Sequence, residues 1–203
     1  MSEQAYPVSI KGELTVPPSR GWWLLKWLLG IPHYIILAFL WIAFIVVWII
    51  AFFAILFTGK FPRGLFDFNV GVLRWTWRVG FYSCEVLGTD KYPPFTLQSV
   101  DYPADLQVEY PEKLSRGLAL VKWWLLAIPH YIVITIFQAD WGKKKAGLVP
   151  ILAIFGAVAL LFTGKYPADI FKLVVGMNRW SYRVCAYAAL MTDQYPPFRL
   201  WDD

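Results

Sequence analysis

The stretch Trp22–Phe57, WWLLKWLLGIPHYIILAFLWIAFIVVWIIAFFAILF, decides the fold: Lys26 and His33 are its only basic groups and it has no acidic one. A bilayer crossing takes about 20 apolar residues. The run is therefore too long for one simple crossing and too apolar for the core of a water-soluble domain, and it reads as membrane-embedded helix. The rest of the chain agrees. Hydrophobic residues make up 58% and charged residues 16%, where soluble domains carry about 25% charged. Aromatics reach 19%, with 12 Trp, as expected where indole and phenol rings settle at a membrane–water boundary. A net charge of +5 and a pI near 9.2 in so apolar a chain favour anionic headgroups over nucleic acid. No basic segment followed by a short apolar one precedes Trp22, so a cleavable signal peptide is not expected. Cys84 and Cys185 stand alone, which gives no support to a disulfide framework or a structural zinc site.

The sequence then repeats itself. Arg20-Gly21 and Lys26-Trp27 return as Arg116-Gly117 and Lys122-Trp123. Ile31-Pro32-His33-Tyr34-Ile35 returns as Ile128-Pro129-His130-Tyr131-Ile132. Leu56 to Pro62 returns as Leu161 to Pro167. Gly71, Arg74, Trp75 and Arg78 return as Gly176, Arg179, Trp180 and Arg183, and Asp90 with Tyr92-Pro93-Pro94-Phe95 returns as Asp193 with Tyr195-Pro196-Pro197-Phe198. Such density over both halves means two tandem units, 1–100 and 101–203. Each opens on a short extended segment (Val8, Ile10, Leu14 and Val16; then Leu106, Val108 and Tyr110) bounded by prolines, which predicts short extramembrane β-strands.

In the second unit the apolar run is interrupted by a polar tip, 138–145, with three consecutive lysines that cannot sit in hydrocarbon. The second unit thus reads as a helical hairpin over 118–162. His33 and Thr58 are 25 positions apart, His130 and Thr163 33, which makes the tip an insertion and the first unit a tighter hairpin over 22–57, transmembrane or re-entrant. The rival reading is an interfacial helix up to Gly30-Ile31-Pro32 and then one long tilted span. Behind each Thr-Gly-Lys turn, Gly59 and Gly164 fit helix C-termini. The segments 64–88 and 168–191 keep Arg74, Arg78 and Glu85, then Lys172, Arg179 and Arg183, on one helical face opposite an aromatic one. A basic, aromatic-rich amphipathic helix points to a segment lying in the interface plane; the alternative is a third span with its arginines facing the bundle interior. With only the lysine tip on the far side, the excess of basic residues on the near side places both termini in the cytoplasm.

Read together, Lys-Trp, Ile-Pro-His-Tyr, Phe-Thr-Gly-Lys-(Phe/Tyr)-Pro, Val-Gly-x-x-Arg-Trp-x-x-Arg-Val and Asp-x-Tyr-Pro-Pro-Phe give a chain that resembles the bacterial membrane proteins grouped as domain of unknown function 4389. The resemblance covers nearly the whole chain, one copy per half. It implies a protein of the bacterial inner membrane, and no established activity or catalytic residue. Two departures bear on its symmetry: the Gln138–Lys145 insertion, and an extra Trp between Lys122 and Pro129.

Among candidate sites, Arg74/Arg78 and Arg179/Arg183 are like-charged pairs at i,i+4, which disfavours an isolated helix. Asp67 and Glu85 can compensate in the first unit. In the second, Lys172 and Leu190 stand at those spacings, so an outside anion is called for. Arg74, Arg78, Lys172, Arg179 and Arg183 are therefore the expected contacts to lipid headgroups or partner subunits. Lys26 and Lys122 are expected to snorkel to the interface. His33 and His130 are the only histidines and can be read as ligands of a haem or chlorophyll-type pigment, or as helix-start residues bonded to backbone. No nucleophile–base set, phosphate loop or paired carboxylates appear, so no enzyme and no cofactor are expected. The sequence points to a mainly α, integral membrane accessory or scaffold protein, with anionic lipid and other subunits as partners and a homo-oligomer left open. The rival is a tetrapyrrole- or quinone-binding subunit using His33 and His130.

Overall fold

The computed structural model describes residues 6–15, 18–138 and 147–201. The elements run β1 (Val8–Gly12), α1 (Trp23–Leu29), α2 (Ile31–Thr58), α3 (Arg63–Ser83), β2 (Ala104–Val108), α4 (Arg116–Val121), a π-helical turn (Lys122–Leu126), α5 (Ile128–Phe137), α6 (Leu148–Thr163) and α7 (Ala168–Ala188). Among the described residues the fold is mostly helical, with one pair of strands.

The first unit departs from the expected hairpin. Chain direction changes at Gly30-Ile31-Pro32, and α2 then continues as one helix of 28 residues. The physical reason lies in what the segment lacks: between Pro32 and Gly59 there is no Gly, Pro, Asn or Asp to release a backbone amide. Without a side chain or water to take them, the amides are satisfied only by continuing the i→i−4 ladder. At 1.5 Å per residue α2 spans about 42 Å, more than the roughly 30 Å of a hydrocarbon core. In the second unit α5 and α6 flank the polar tip and touch each other; the lysine tip itself lies outside the described residues from 139 to 146.

The extra residue between Lys122 and Pro129 is absorbed by the π-helical turn Lys122–Leu126. A π-turn widens the helix by one residue without breaking it. Lys122 and His130 therefore keep the relation to their unit that Lys26 and His33 keep to theirs. Gly59 and Gly164 close α2 and α6 in the left-handed region, with φ of 72° and 73°, where a Cβ would be strained.

α3 and α7 do not leave an aromatic face open. They end earlier than expected, at Ser83 and Ala188, and both faces are covered: α3 packs on α2 and on β2, α7 on α6 and on β1. Leu73, Trp77 and Phe81 are buried in protein, with Trp77 against Tyr182 at 5.7 Å and Phe81 against Phe171 at 6.0 Å between ring centroids. The aromatic face that resembled a lipid-facing surface is the core.

β1 and β2 pair antiparallel, Val8 with Val108 through Gly12 with Ala104. Val8 and Ile10 are buried, while Ser9 and Lys11 are exposed. The strand that precedes each unit's helices thus lies on the amphipathic helix of the other unit. The exchange recurs at the helix ends. Arg116 donates from Nη2 to the Phe57 carbonyl at the end of α2 (2.9 Å), and the Arg20 guanidinium lies against Gly164 at the end of α6. Cations at C-terminal carbonyls complement the helix dipole.

The outward faces of α2, α5 and α6 are apolar. Phe39 (69%), Ile42 (62%) and Phe57 (77%) on α2, Ile132 on α5, and Phe155 and Phe162 on α6 stand outward. Among the described residues α2 alone is long and apolar enough to cross a membrane, with a mean hydropathy of 3.1 over its best window; Arg116–Leu126 and Ile128–Phe137 reach that measure only together, bent by 45°, and Leu148–Thr163 is shorter.

Candidate functional site

The five expected contact residues do not form one surface. Arg74 donates from Nε to the Leu106 carbonyl (2.8 Å) and from Nη1 to the Leu97 carbonyl (2.9 Å), and it pairs with Asp105 at 3.1 Å. Arg78, fully buried, donates from Nη2 to the Gln98 carbonyl (2.8 Å) and to Asp105 Oδ1 (3.0 Å). The other Asp105 oxygen accepts from Ser99 Oγ at 2.7 Å. The carboxylate that relieves the like-charged pair is thus Asp105, on β2 of the second unit. Asp67 instead makes an exposed 3.8 Å pair with Arg63. Only a carboxylate placed between the two guanidiniums offsets their burial.

In the second unit Arg179 donates to the Leu200 carbonyl (3.1 Å) and, at 3.5 Å, to the Ile10 carbonyl of β1. Arg183, 1% exposed, lies 5.4 Å from the centre of the Tyr6 ring, within cation–π range. Among the described residues these two arginines meet carbonyls and an aromatic ring. Arg74, Arg78 and Arg179 therefore tie an amphipathic helix to the strand of the other unit, and Arg183 reaches Tyr6 just before β1. Lys172 alone of the five is exposed.

Lys26 and Lys122 do not snorkel; each is 1% exposed. Lys26 Nζ donates to the Thr89 carbonyl (2.7 Å) and pairs with Asp90 (2.8 Å). Lys122 Nζ reaches the Thr192 carbonyl (2.9 Å) and Asp193 (2.7 Å). The second oxygen of each aspartate accepts a backbone N–H, from Ser19 and from Ser115, both at 2.6 Å. Burial pushes the Asp90 carboxyl up, but Lys26 and the Ser19 amide outweigh it and hold it below its ordinary range. Each threonine carbonyl is presented by a turn whose leucine, Leu87 or Leu190, has φ of 59° or 65°, a left-handed backbone that is rare for a branched side chain.

Those two leucines set the alignment of the copies. Leu190 matches Leu87, so Cys84-Glu85 are two residues that the second unit lacks, and Glu85 has no counterpart. Its carboxylate rests against Gly80. Glu85 Oε2 has neither solvent nor a hydrogen-bond partner among the described residues, and burial pushes the acid up to about 7.

The histidines sit in matching stations. Trp75 Nε1 donates to His33 Nδ1 and Trp180 Nε1 to His130 Nδ1, both at 3.0 Å. Phe95 stacks on His33 at 3.9 Å and Phe198 on His130 at 4.3 Å. Tyr92 and Tyr195 donate to the Leu29 and Leu126 carbonyls at 3.1 and 3.2 Å. A neutral imidazole that accepts at Nδ1 carries its proton on Nε2. Metal-binding histidines show the opposite order, donating from one nitrogen and offering the other's lone pair. Both Nε2 atoms are moreover buried. The stations therefore do not fit an axial ligand of haem or chlorophyll, and among the described residues no three His, Cys, Asp or Glu side chains cluster as metal ligands. Sequence reading missed these pairings because it weighed each repeated residue alone. The signal was available: Lys with Asp, and His with Trp and Phe, recur together.

The family model described as Domain of unknown function (DUF4389) matches residues 21–96 and 118–199. The chain belongs to this family, in two tandem copies. The first DUF4389 match runs from the start of α1 to Thr96 and the second from α4 to Arg199, so each copy contains its own lysine–aspartate and histidine–tryptophan ties. The strands fall outside both matches. No curated protein and no solved structure matches the chain.

Proposed function

We propose that this two-copy DUF4389 protein is a non-enzymatic, multi-pass protein of the bacterial cytoplasmic membrane with an accessory or scaffold role, stabilising or shaping a membrane assembly through anionic headgroups and partner subunits. The observation that carries the reading is the state of α2: its most apolar window is only 22% buried. A core helix of a soluble protein would be mostly covered. An exposed apolar surface of this extent on a monomer marks contact with a membrane or a partner.

Headgroup contact moves, in this reading, from the tied arginines to the exposed cations at the helix ends. Lys60 and Arg63 follow α2, Lys165 and Lys172 follow α6, and Arg116 sits at the Phe57 carbonyl; all five are exposed. Excess positive charge on that side orients both termini to the cytoplasm.

Alkaline carbonate washing of native membranes tests the membrane assignment: the chain is expected in the pellet, released only by detergent. Recovery in the wash overturns it. For the headgroup role, neutralising Lys60, Arg63, Arg116, Lys165 and Lys172 together is expected to strip co-purifying anionic lipid, while unchanged lipid content refutes that part.

A further inference from the structure

Beyond the apolar belt, the seam between the two copies holds a cleft of about 440 Å³, within the range of small-ligand sites. Its walls are the Trp41–Trp48 side of α2, the start of the second copy at Trp123 and Tyr131, and the last turns of α7 from Ser181 to Ala189. No charged side chain lines it. Two wall residues, Ile45 (52% exposed) and Tyr131 (37% exposed), also belong to the outward apolar surface, so the mouth is continuous with the belt. One polar atom in the wall is unsatisfied: Trp123 Nε1 is buried with no acceptor among the described residues. Its neighbour Trp48, by contrast, donates to the Ala188 carbonyl at 3.2 Å.

We infer that this cleft is a binding site for one acyl chain of a bilayer phospholipid, entered sideways from the belt. The inference rests on the membrane assignment above. Hydrocarbon matches the site because the cavity is apolar and uncharged: water is poorly held where it lacks two to four polar partners, and a charged ligand would meet no counter-charge. The aromatic walls Trp41, Trp48 and Trp123 come from both copies, so the site exists only when the copies are packed together.

The test uses the full chain reconstituted in phosphatidylcholine vesicles that carry a trace of phosphatidylcholine with a diazirine in mid-acyl chain. After irradiation, adducts are mapped by mass spectrometry. The expected result is labelling concentrated on Trp41, Trp48, Ser181 and Cys185, competed by excess unlabelled phosphatidylcholine, and reduced at least fivefold by Ala188→Leu, which fills the cleft. Labels on Phe39, Ile42 and Phe53 should persist in that variant and show that it is folded and inserted. Labelling of the belt alone overturns the cleft site and leaves the membrane assignment standing. An absence of labels anywhere overturns both. A cleft that takes up a diazirine-bearing isoprenoid alcohol but not the phospholipid also refutes the inference.

Discussion

In the first copy a single 28-residue helix, α2, runs from Ile31 to Thr58, where the second copy has α5 and α6 on either side of a polar tip. Yet the ties inside each copy are the same to within a few tenths of an ångström: Trp to His at 3.0 Å in both, lysine to aspartate at 2.8 and 2.7 Å. A one-residue insertion next to Lys122 is taken up by a π-turn that leaves the tie intact. The internal bolts are thus the invariant part of the architecture, and the outward helices are free to differ. At the seam Asp105 bridges the first copy's arginines, Arg183 lies beside the Tyr6 ring, and Glu85 occurs once.

The largest expected break of this comparison is Asp105→Asn. It leaves the fully buried Arg78 without its anion, and the loss should reach about 3–5 kcal/mol in detergent unfolding. Tyr6→Ala, the change under the buried Arg183, should lose about 2 kcal/mol, the scale of a desolvated cation–π contact.

Glu85→Gln sharpens the same asymmetry through pH. The folded acid titrates near 7, against an ordinary 4.5. Below 4.5 both states hold the proton and the variant is neutral. Between 4.5 and 7 the unfolded chain releases its proton first, so the wild-type protein loses stability as pH rises. At pH 8 the variant should be more stable by up to about 3 kcal/mol. A pH-independent difference contradicts the raised acid.

Trp75→Phe and Trp180→Phe each leave a buried imidazole nitrogen without its donor. Each should lose about 1–2 kcal/mol, and the two losses should agree within about 0.5 kcal/mol, because the stations are equivalent. The smallest effect belongs to the helix ends. Gly59→Ala and Gly164→Ala should each lose about 1 kcal/mol from the left-handed backbone. Thermal melts in one detergent rank all of these.

The repeat, the strands, the glycine helix ends and the tandem family were legible in the sequence, because spacing and breakers are local. The first-unit hairpin was not: it rested on analogy to the second copy, while the absence of any breaker after Pro32 argued for a continuous helix. The amphipathic helices were correctly located, but their surroundings were misread. Periodicity shows that Leu73, Trp77 and Phe81 share a face; it does not show whether lipid or protein covers that face. The arginines were misplaced for a related reason. Their carboxylate, Asp105, lies in the other unit, and only the strand exchange brings it near.

The account turns on α2 facing lipid on one side and protein on the other. Its most direct test is a nitroxide scan of single cysteines along α2, in a Cys84→Ser, Cys185→Ala background reconstituted in vesicles, reading collision with oxygen against a water-soluble nickel chelate. High oxygen and low nickel accessibility are expected at Phe39, Ile42 and Phe53, alternating at helical period with low values for both at Val47, Ala51 and Ile55. Nickel accessibility at Phe39, Ile42 and Phe53 equal to that of exposed Glu13 would contradict the membrane assignment.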